Sequence, residues 1–310
     1  MTDTQNEVFK SPVNKIRLFE HGAPGSQNLK LTRKYYTEDM PDGRVKHIVQ
    51  NITDPDIVPY IPDGIGNSTD RQRIPAVLII PGGAFRRLVY NFEGEDVAKW
   101  LNSMGIAAFV LECRLPSDEH DNAEDVPLID AMRAMRVIRG RAQEFGIDEA
   151  KIGVMGFSAG GFMAALLSTA YESDVYADYK YKDEYDKLSA RPDFAVCSYP
   201  VISIDDCIEA GKRYMSEEQV LERISDSKAK ILHKYNPDKL VRPDMPPVFI
   251  CETDDDRTTL SENSVGFYMA ARKAGVSAEL HIFRTGGHGY GCGDDFAQTG
   301  EWKVLFYKVD

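Results

Sequence analysis

The sequence has no surplus of positive charge. Its 310 residues include 37 Lys and Arg against 49 Asp and Glu, which leaves a formal net charge of −12 at pH 7. Binding to nucleic-acid phosphates needs a concentrated basic patch, and none is visible along the chain. The charge pattern therefore argues against a nucleic-acid partner and favours a solvated acidic exterior.

Long hydrophobic runs are missing as well. No apolar stretch approaches the roughly 20 residues that span a bilayer, and the opening "MTDTQNEVFK" lacks the basic start and apolar core of a secretory signal. These two absences predict a cytoplasmic protein without a membrane partner.

Cysteines are few and irregularly placed. The five cysteines are widely spaced and form no C-x-x-C pair, and their number is odd. The sequence therefore indicates neither a disulfide framework nor a zinc site.

From residue 76 onward, continuous apolar runs alternate with amphipathic helical segments. Strands that are buried on both faces of a parallel sheet have such continuous runs, and the alternation predicts a mostly parallel α/β fold with helices on both faces. With no convincing linker in view, we expect a single domain over residues 1–310. The expected strands are Ala76–Ile80, Ala107–Glu112, Lys151–Phe157, Phe194–Tyr199, Val248–Glu252 and Glu279–Phe283; the expected helices are Glu93–Met104, Leu128–Glu144, one that begins at Ser158, and Leu260–Ala274.

Two N-terminal segments and two insertions lie outside this alternation. Lys15–Glu20 and Val45–Thr53 are expected to form short strands, an antiparallel entry to the same sheet. Residues 171–192 follow a helix, so they should lie away from the carboxyl ends of the strands, where ligands of open α/β sheets bind. Residues 201–244 follow a strand, so we expect them on the ligand side, where their helical periodicity predicts a cap.

The stretch "KIGVMGFSAGGFMAALLSTA" places Ser158 between an expected strand and an expected helix. Gly156 and Gly160 flank it in a G-x-S-x-G pattern, which is weak alone but typical of a nucleophile elbow in this strand, turn and helix context. Such a turn exposes the serine hydroxyl, and the helix N-terminus behind it favours a developing negative charge. The alternative is an ordinary turn with a structural serine.

A serine nucleophile needs a base, and the base needs an orienting carboxylate. Of the histidines that follow Ser158, His233 lies in the expected cap and His281 lies within a strand. His288 lies in the glycine-rich stretch "RTGGHGYG", just beyond the last strand, where a base can reach over the elbow. His288 is therefore the predicted base.

Three consecutive aspartates, Asp254, Asp255 and Asp256, directly follow another buried strand. The order serine, acid, histidine is the one expected for this arrangement of strands. Position alone leaves the choice among the three aspartates open.

The segment "PGGAF" follows the strand "AVLII", at the position where lipases and esterases carry an oxyanion loop. The predicted oxyanion donors are the N–H groups of Gly83, Ala84 and Ala159. A Pro-Gly-Gly segment alone is most often a turn. Together with the elbow, the aspartates and His288, all at the ends of different strands, it completes a catalytic constellation.

With these residues in place, the sequence resembles the α/β-hydrolase superfamily, and more narrowly the bacterial acetyl xylan, feruloyl and xylanase-B-associated esterases. The resemblance covers most of the chain, through "HGAPGS", "IPGGAFRRL", "EGEDVAKWLNSMGIAAFVL", "RLP", "IGVMGFSAGG", "PDFAVCSYPVIS" and "HGYG". It implies an α/β-hydrolase fold with Ser158 as nucleophile and His288 as base.

The same resemblance implies a choice of acid and shows three departures from the pattern. The acid of these esterases usually stands three residues before a small β-branched residue, which implies Asp255, with Asp256 second. Ala84 replaces the third glycine of the oxyanion loop, Phe162 stands where relatives often carry histidine, and Cys113 replaces the tyrosine before Arg-Leu-Pro.

The sequence therefore predicts a serine carboxylesterase that hydrolyses short acyl esters, such as acetyl groups on sugars or xylo-oligosaccharides, through an acyl-enzyme. No metal or organic cofactor is required, and the oligomeric state stays open. Phe85, Arg114 and Tyr290 are expected to line the substrate pocket by their positions, with Arg86 and Arg87 as further candidates. Two alternatives remain: a peptidase or amidase of the same fold, and a ligand-binding protein on a hydrolase scaffold.

Overall fold

Eight strands form the central sheet of the protein in a computed structural model, which describes residues 9–65, 73–213, 215–224, 227–293 and 299–306. Their order across the sheet is β1-β4-β7-β5-β8-β9-β10-β11. The strands are β1 (Ile16–Arg17), β4 (Asp56–Tyr60), β5 (Ile74–Ile80), β7 (Ala107–Glu112), β8 (Ile147–Phe157), β9 (Ala195–Ser198), β10 (Val248–Thr253) and β11 (Ala278–Phe283).

In this order the six strands β7, β5, β8, β9, β10 and β11 run parallel to one another. At one edge β4 pairs antiparallel with β7, and β1 pairs antiparallel with β4. Every residue of β7, β9 and β10 is buried, as the continuous apolar runs predict. Because the parallel strands end at one edge of the sheet, the loops after β5, β8, β10 and β11 can converge there. The predicted mostly parallel α/β sheet is confirmed.

Nine α-helices connect or flank the strands in the described part of the chain. α1 packs against β7, α4 against β8 and β9, and α8 against β10 and β11. The helices are α1 (Asp96–Ser103), α2 (Val126–Gly140), α3 (Ala142–Phe145), α4 (Ala159–Ala170), α5 (Ile204–Lys212), α6 (Glu217–Ile224), α7 (Ser227–Lys234), α8 (Ser261–Lys273) and α9 (Glu301–Phe306). None of the helices in the described ranges is long and apolar enough to cross a membrane.

A separate three-stranded sheet consists of β2 (Lys34–Asp39), β3 (Val45–Gln50) and β6 (Leu88–Val89), in the order β2-β3-β6. The expectation that Val45–Thr53 enters the main sheet is therefore wrong, although β1 does enter it. The physical reason is local: β3 pairs with β2 across a tight turn, where the Met40 N–H donates to the carbonyl of Arg44. This hairpin brings residues from the beginning of the chain to the functional site described below.

The two insertions differ in what they contact. The segment 171–192 lies against α2, where Arg133 forms an ion pair with Asp186 at 3.1 Å and Tyr176 is buried. The segment 201–244 contains α5, α6 and α7; Tyr214 and residues 225–226 lie outside the described residues. The single-domain division and the assignment of this segment as a cap stay predictions.

Candidate active site

Ser158 occupies the turn between β8 and α4 with φ 54° and ψ −118°. This left-handed conformation is strained for a residue that has a Cβ atom. Two glycines allow the turn to close: a Cβ at Gly156 would overlap the carbonyl oxygen of Gly160, and a Cβ at Gly160 would overlap that of Ile80. The elbow geometry predicted from the sequence is present.

His288 connects Ser158 to a carboxylate. Its Nε2 lies 2.9 Å from Ser158 Oγ, and its Nδ1 lies 2.6 Å from Asp256 Oδ2. Ser158 is therefore positioned to donate its proton to Nε2, while Asp256 accepts the hydrogen on Nδ1. Three side chains from the ends of β8, β10 and β11 thus form one continuous chain of hydrogen bonds.

Asp256, and not Asp255, is the carboxylate in contact with His288, so the geometry corrects the favoured sequence prediction. Asp256 is buried, whereas Asp255 is exposed and accepts the N–H of Gly287 at 2.8 Å. Thr259 is a β-branched residue three positions after Asp256, so the family spacing fits Asp256 as well, and Thr259 Oγ1 donates to Asp256 Oδ2 at 3.0 Å.

The hydrogen bonds around Asp256 keep it ionised. Burial acts to raise its pKa, but the hydrogen bond and the charge of His288, together with the N–H groups of Thr259 and Thr258, outweigh burial and lower the pKa below its ordinary value. The N–H groups of Thr258 and Thr259 donate to Oδ1 at 2.7 and 3.0 Å. Asp256 can therefore hold His288 in the tautomer that accepts a proton at Nε2.

The loop after β5 is bent sharply beside Ser158. Gly83, Ala84 and Phe85 follow one another with φ values of 136°, 58° and 61°, an unusual run because two of the three residues have side chains. Hydrogen bonds between described residues do not use the N–H groups of Gly83, Ala84 or Ala159. All three residues line the cavity that contains Ser158 and His288, and their role as oxyanion donors stays a prediction.

This cavity has a volume of about 240 Å³. Besides the elbow and the oxyanion loop, its wall includes residues of the β2–β3 hairpin and of the segment that follows β6, together with Val201 and Thr258. The lining residues that the sequence did not single out for the site are Met40, Arg44, Lys46, Val89, Phe92, Glu93, Val201, Thr258 and Gly289. Arg87, one of the further candidates, also lines it.

The three favoured pocket residues do not line this cavity. Arg114 is fully buried in an ion pair with Asp130, with Nη2 and Oδ1 2.6 Å apart. Phe85 is buried and packs edge-on against Phe162, and Tyr290 is buried against Tyr199. The prediction for Phe85, Arg114 and Tyr290 is corrected: each is buried against a partner in the protein interior and does not line the cavity.

Two buried side chains beside the site were missed by the sequence analysis. Glu93 accepts the N–H of Gly82 at 2.9 Å and the hydroxyl of Tyr199 at 2.9 Å. In the sequence Glu93 is an ordinary charge at a helix start, and Tyr199 is the end of an apolar strand. Both residues lie in stretches that carry the family resemblance, "EGEDVAKWLNSMGIAAFVL" and "PDFAVCSYPVIS", but no local pattern gives either residue a role; the hairpin turn "PDGR" before β3 is the local signal for the part of the cavity wall that the hairpin forms.

Another buried carboxyl group, that of Glu252, lies near Asp256. Glu252, at the end of β10, accepts the N–H of Thr253 at 2.9 Å and the hydroxyl of Ser264 at 3.2 Å. Burial and the charge of Asp256 raise the pKa of Glu252 well above its ordinary value. The pKa shifts of the two carboxyl groups therefore have opposite directions, so Asp256 ionises more readily than Glu252.

Comparison with known proteins gives relatives that act on esters or xylan. An acetylxylan esterase of Xylanibacter ruminicola is 31% identical over 223 residues, 71% of this chain and 42% of that protein. The endo-1,4-beta-xylanase B of Butyrivibrio fibrisolvens is 30% identical over 242 residues, 78% of this chain and 36% of that protein. The chain thus spans less than half the length of these two curated relatives.

Solved structures resemble the chain over nearly its whole length. The acetyl ester-xyloside bifunctional hydrolase from Caldicellulosiruptor lactoaceticus has a TM-score of 0.69 at 34% identity, covering 95% of this chain and 94% of that one. The carboxylesterase Cest-2923 from Lactobacillus plantarum has a TM-score of 0.64 at 20% identity, covering 89% of this chain and 95% of that one. At this identity the likeness to Cest-2923 shows the fold alone. The BD-FAE family matches residues 65–270, more than half of the chain, including Ser158 and Asp256. The chain therefore belongs to the BD-FAE family and has the α/β-hydrolase fold.

Proposed function

We propose that the protein is a serine carboxylesterase that hydrolyses short acyl esters, in particular acetyl esters of xylo-oligosaccharides or other sugars. The observation that carries this proposal is the hydrogen-bonded chain Ser158–His288–Asp256, which opens into a cavity lined by Gly83, Ala84 and Ala159. The names of the relatives, an acetylxylan esterase and an acetyl ester-xyloside hydrolase, support the substrate class.

The geometry accounts for each step of acyl transfer. Ser158 Oγ attacks the ester carbonyl while His288 Nε2 accepts its proton, and Asp256 stabilises the resulting imidazolium. The N–H groups of the oxyanion loop and of Ala159 bind the negative oxygen of the tetrahedral intermediate, and one such donor is typically worth about 3 kcal/mol. His288 then protonates the departing alcohol, and a water molecule activated by the same imidazole hydrolyses the acyl-enzyme.

The size of the cavity favours small acyl groups. Its volume of about 240 Å³ is below the roughly 300–1,000 Å³ of pockets that hold drug-sized ligands. A long acyl chain would have to extend out of this cavity, whereas an acetyl group and part of a sugar ring can be accommodated. The cap function of residues 201–244 and a cytoplasmic location are parts of the proposal that rest on the sequence alone.

The proposal is tested by hydrolysis of p-nitrophenyl acetate, butyrate and octanoate, alongside acetylated xylo-oligosaccharides and aminoacyl p-nitroanilides. We expect the acetate to have the largest kcat/KM among the aryl esters and acetate release from the oligosaccharides. Faster cleavage of the anilides would overturn the esterase assignment in favour of an amidase.

A second measurement separates catalysis from ligand binding. A fluorophosphonate should label Ser158, which intact-mass and peptide mass spectrometry would detect, and Ser158→Ala should abolish both labelling and turnover. Turnover that survives in the folded Ser158→Ala protein would rule out the proposed nucleophile.

A further inference from the structure

We propose that Glu93 is a positioning residue, whose carboxylate aligns the oxyanion loop with the His288 loop and provides a second negative charge for the His288 imidazolium. The inference rests on the proposed function, because it concerns the same reaction at Ser158. Its basis is a set of hydrogen bonds that joins two loops, both of which line the cavity.

Glu93 lies on a single turn of π-helix, Asn91–Glu95, which precedes α1. The turn is held by the N–H of Glu95, which donates to the carbonyl of Tyr90 at 2.8 Å. Such wide turns occur often at functional sites. Here Glu93 is 4% exposed and lines the cavity, whereas Glu95 points outward and pairs with Lys99 at 2.8 Å.

One oxygen of Glu93 holds the oxyanion loop. Its Oε2 accepts the N–H of Gly82 at 2.9 Å, and Gly82 directly precedes the strained residues Gly83 and Ala84. The fit is close, since a Cβ at Gly82 would lie 2.8 Å from this oxygen and 2.9 Å from Ser158 Cβ. A shift of Glu93 would therefore shift the backbone that supplies the oxyanion donors.

The other oxygen reaches the His288 loop through Tyr199. Glu93 Oε1 accepts the Tyr199 hydroxyl, whose oxygen in turn accepts the N–H of Gly291 at 3.0 Å. The ring of Tyr199 lies edge-on to the imidazole of His288, with centroids 5.0 Å apart. Tyr199 itself has a strained φ of 38°, which indicates that its ring is held in place for these contacts.

The directions of these hydrogen bonds favour an ionised Glu93. The N–H of Gly291 donates to Tyr199, Tyr199 donates to Glu93, and the N–H of Gly82 donates to the second oxygen, so both carboxylate oxygens are acceptors. The pKa of Glu93 is raised by its burial, and the charges of His288 and Lys46 with the two hydrogen bonds offset part of that rise.

The charged and titratable groups that face Glu93 come from three elements: Lys46 from β3, Tyr199 from the end of β9, and His288 from the loop after β11. Among them only His288 changes its charge during the proposed reaction. A carboxylate at this position stabilises the imidazolium that forms as Ser158 attacks, in addition to the direct contact of Asp256.

The experiment compares Glu93→Gln and Glu93→Asp with Glu95→Gln, a matched control that removes a carboxylate from the same turn without touching the site. For Glu93→Gln on p-nitrophenyl acetate we expect kcat to fall about tenfold or more, because an amide cannot accept from both donors. The acidic limb of kcat/KM should also move to lower pH, by about half a unit to one unit, since His288 loses a nearby negative charge. Glu95→Gln should match the wild type in both.

Glu93→Asp separates the effect of the negative charge from the effect of the side-chain length. It keeps the charge but is one methylene shorter, so kcat should fall while the acidic limb stays within about 0.2 units of the wild type. A Glu93→Gln protein with wild-type kcat, or with a reduced kcat and an unmoved acidic limb, would overturn the proposal; the second result would leave Glu93 a purely structural role.

If Glu93→Gln does not fold, as judged by thermal unfolding and circular dichroism, Tyr199→Phe supplies the test. It removes only the hydroxyl that links the two loops, so we expect kcat to fall about tenfold, by analogy with the loss of a hydrogen bond that supports a metal ligand. A wild-type kcat in Tyr199→Phe would overturn the proposal. Ser158→Ala distinguishes failure of this proposal from failure of the proposed function, because turnover that survives in Ser158→Ala rejects the esterase mechanism itself.

Discussion

Replacement of Asp256 by asparagine is the sharpest test of which aspartate orients His288. In the native site Oδ1 accepts the N–H groups of Thr258 and Thr259, and Oδ2 faces His288 Nδ1 at 2.6 Å. An asparagine that keeps the first two bonds must turn its NH2 group toward Nδ1. That group donates, so the imidazole hydrogen moves to Nε2 and faces the Ser158 hydroxyl, which leaves no base for the attack.

The expected loss follows from this tautomer change. In a serine protease the equivalent change lowers kcat by about 10⁴, and at about 1.36 kcal/mol per tenfold a loss of 10³ to 10⁴ corresponds to about 4–5 kcal/mol of transition-state stabilisation. We expect a loss of this size in kcat for p-nitrophenyl acetate with Asp256→Asn. Thermal unfolding of the same samples checks that the variant is folded.

Asp255→Asn is the matched control, one residue away on the same loop. Asp255 is exposed and accepts one N–H from Gly287, a bond that the asparagine oxygen can keep. Its kcat should stay within about threefold of the wild type, as for most surface substitutions. The reasoning is refuted if Asp255→Asn loses as much activity as Asp256→Asn, or if folded Asp256→Asn retains more than a tenth of wild-type kcat.

Three further predictions concern stability. Gly160→Ala should prevent the elbow from closing, because the added Cβ overlaps the carbonyl oxygen of Ile80; the variant should unfold several degrees lower or fail to accumulate, and an unchanged melting temperature with full activity would contradict this. Asp130→Asn leaves the fully buried Arg114 without its counter-charge and should lower the free energy of unfolding by about 3–5 kcal/mol, as measured by urea titration. Glu252 has a folded-state pKa well above 4.5, so in the wild type stability should fall as pH rises from about 4.5 toward that raised value, since the unfolded chain releases this proton first. Urea unfolding at several pH values should show a smaller decline for Glu252→Gln, and an identical pH dependence would show that Glu252 is not protonated in the folded protein.

Sequence patterns locate the loops of the site because each loop follows a strand. The strand ends, the glycines around Ser158 and the histidine after β11 are all local signals. The choice of acid is different, since Asp254, Asp255 and Asp256 share one local pattern and differ only in burial, which depends on how the loop packs. The family spacing narrows the choice to within one residue, and only the contact of Asp256 with His288 completes it.

Arg114 shows why polar residues after strands are difficult to assign from sequence. Its position at the end of β7 suits a pocket residue, but its partner Asp130 is buried on α2, sixteen residues later. The part of the cavity wall that contains Met40 and Lys46 is equally difficult to predict, because both residues come from a hairpin that pairs with β6 rather than with the main sheet. Long-range contacts of this kind leave no periodic signal in the chain.

Non-glycine residues with strained backbone conformations identify more segments of the site than its glycines do. Of the seven non-glycine residues with positive φ in the described ranges, four belong to segments around the cavity: Ala84, Phe85, Ser158 and Tyr199. Each such residue costs of order 1–3 kcal/mol and persists only where its surroundings hold it. The elbow is held by the close approach of Gly156 and Gly160, whereas the oxyanion loop and Tyr199 are both held by Glu93. A buried carboxylate whose role no local sequence pattern indicates thus connects two of the three strained segments, which is why its removal should affect the reaction more than the loss of one hydrogen bond on the surface would.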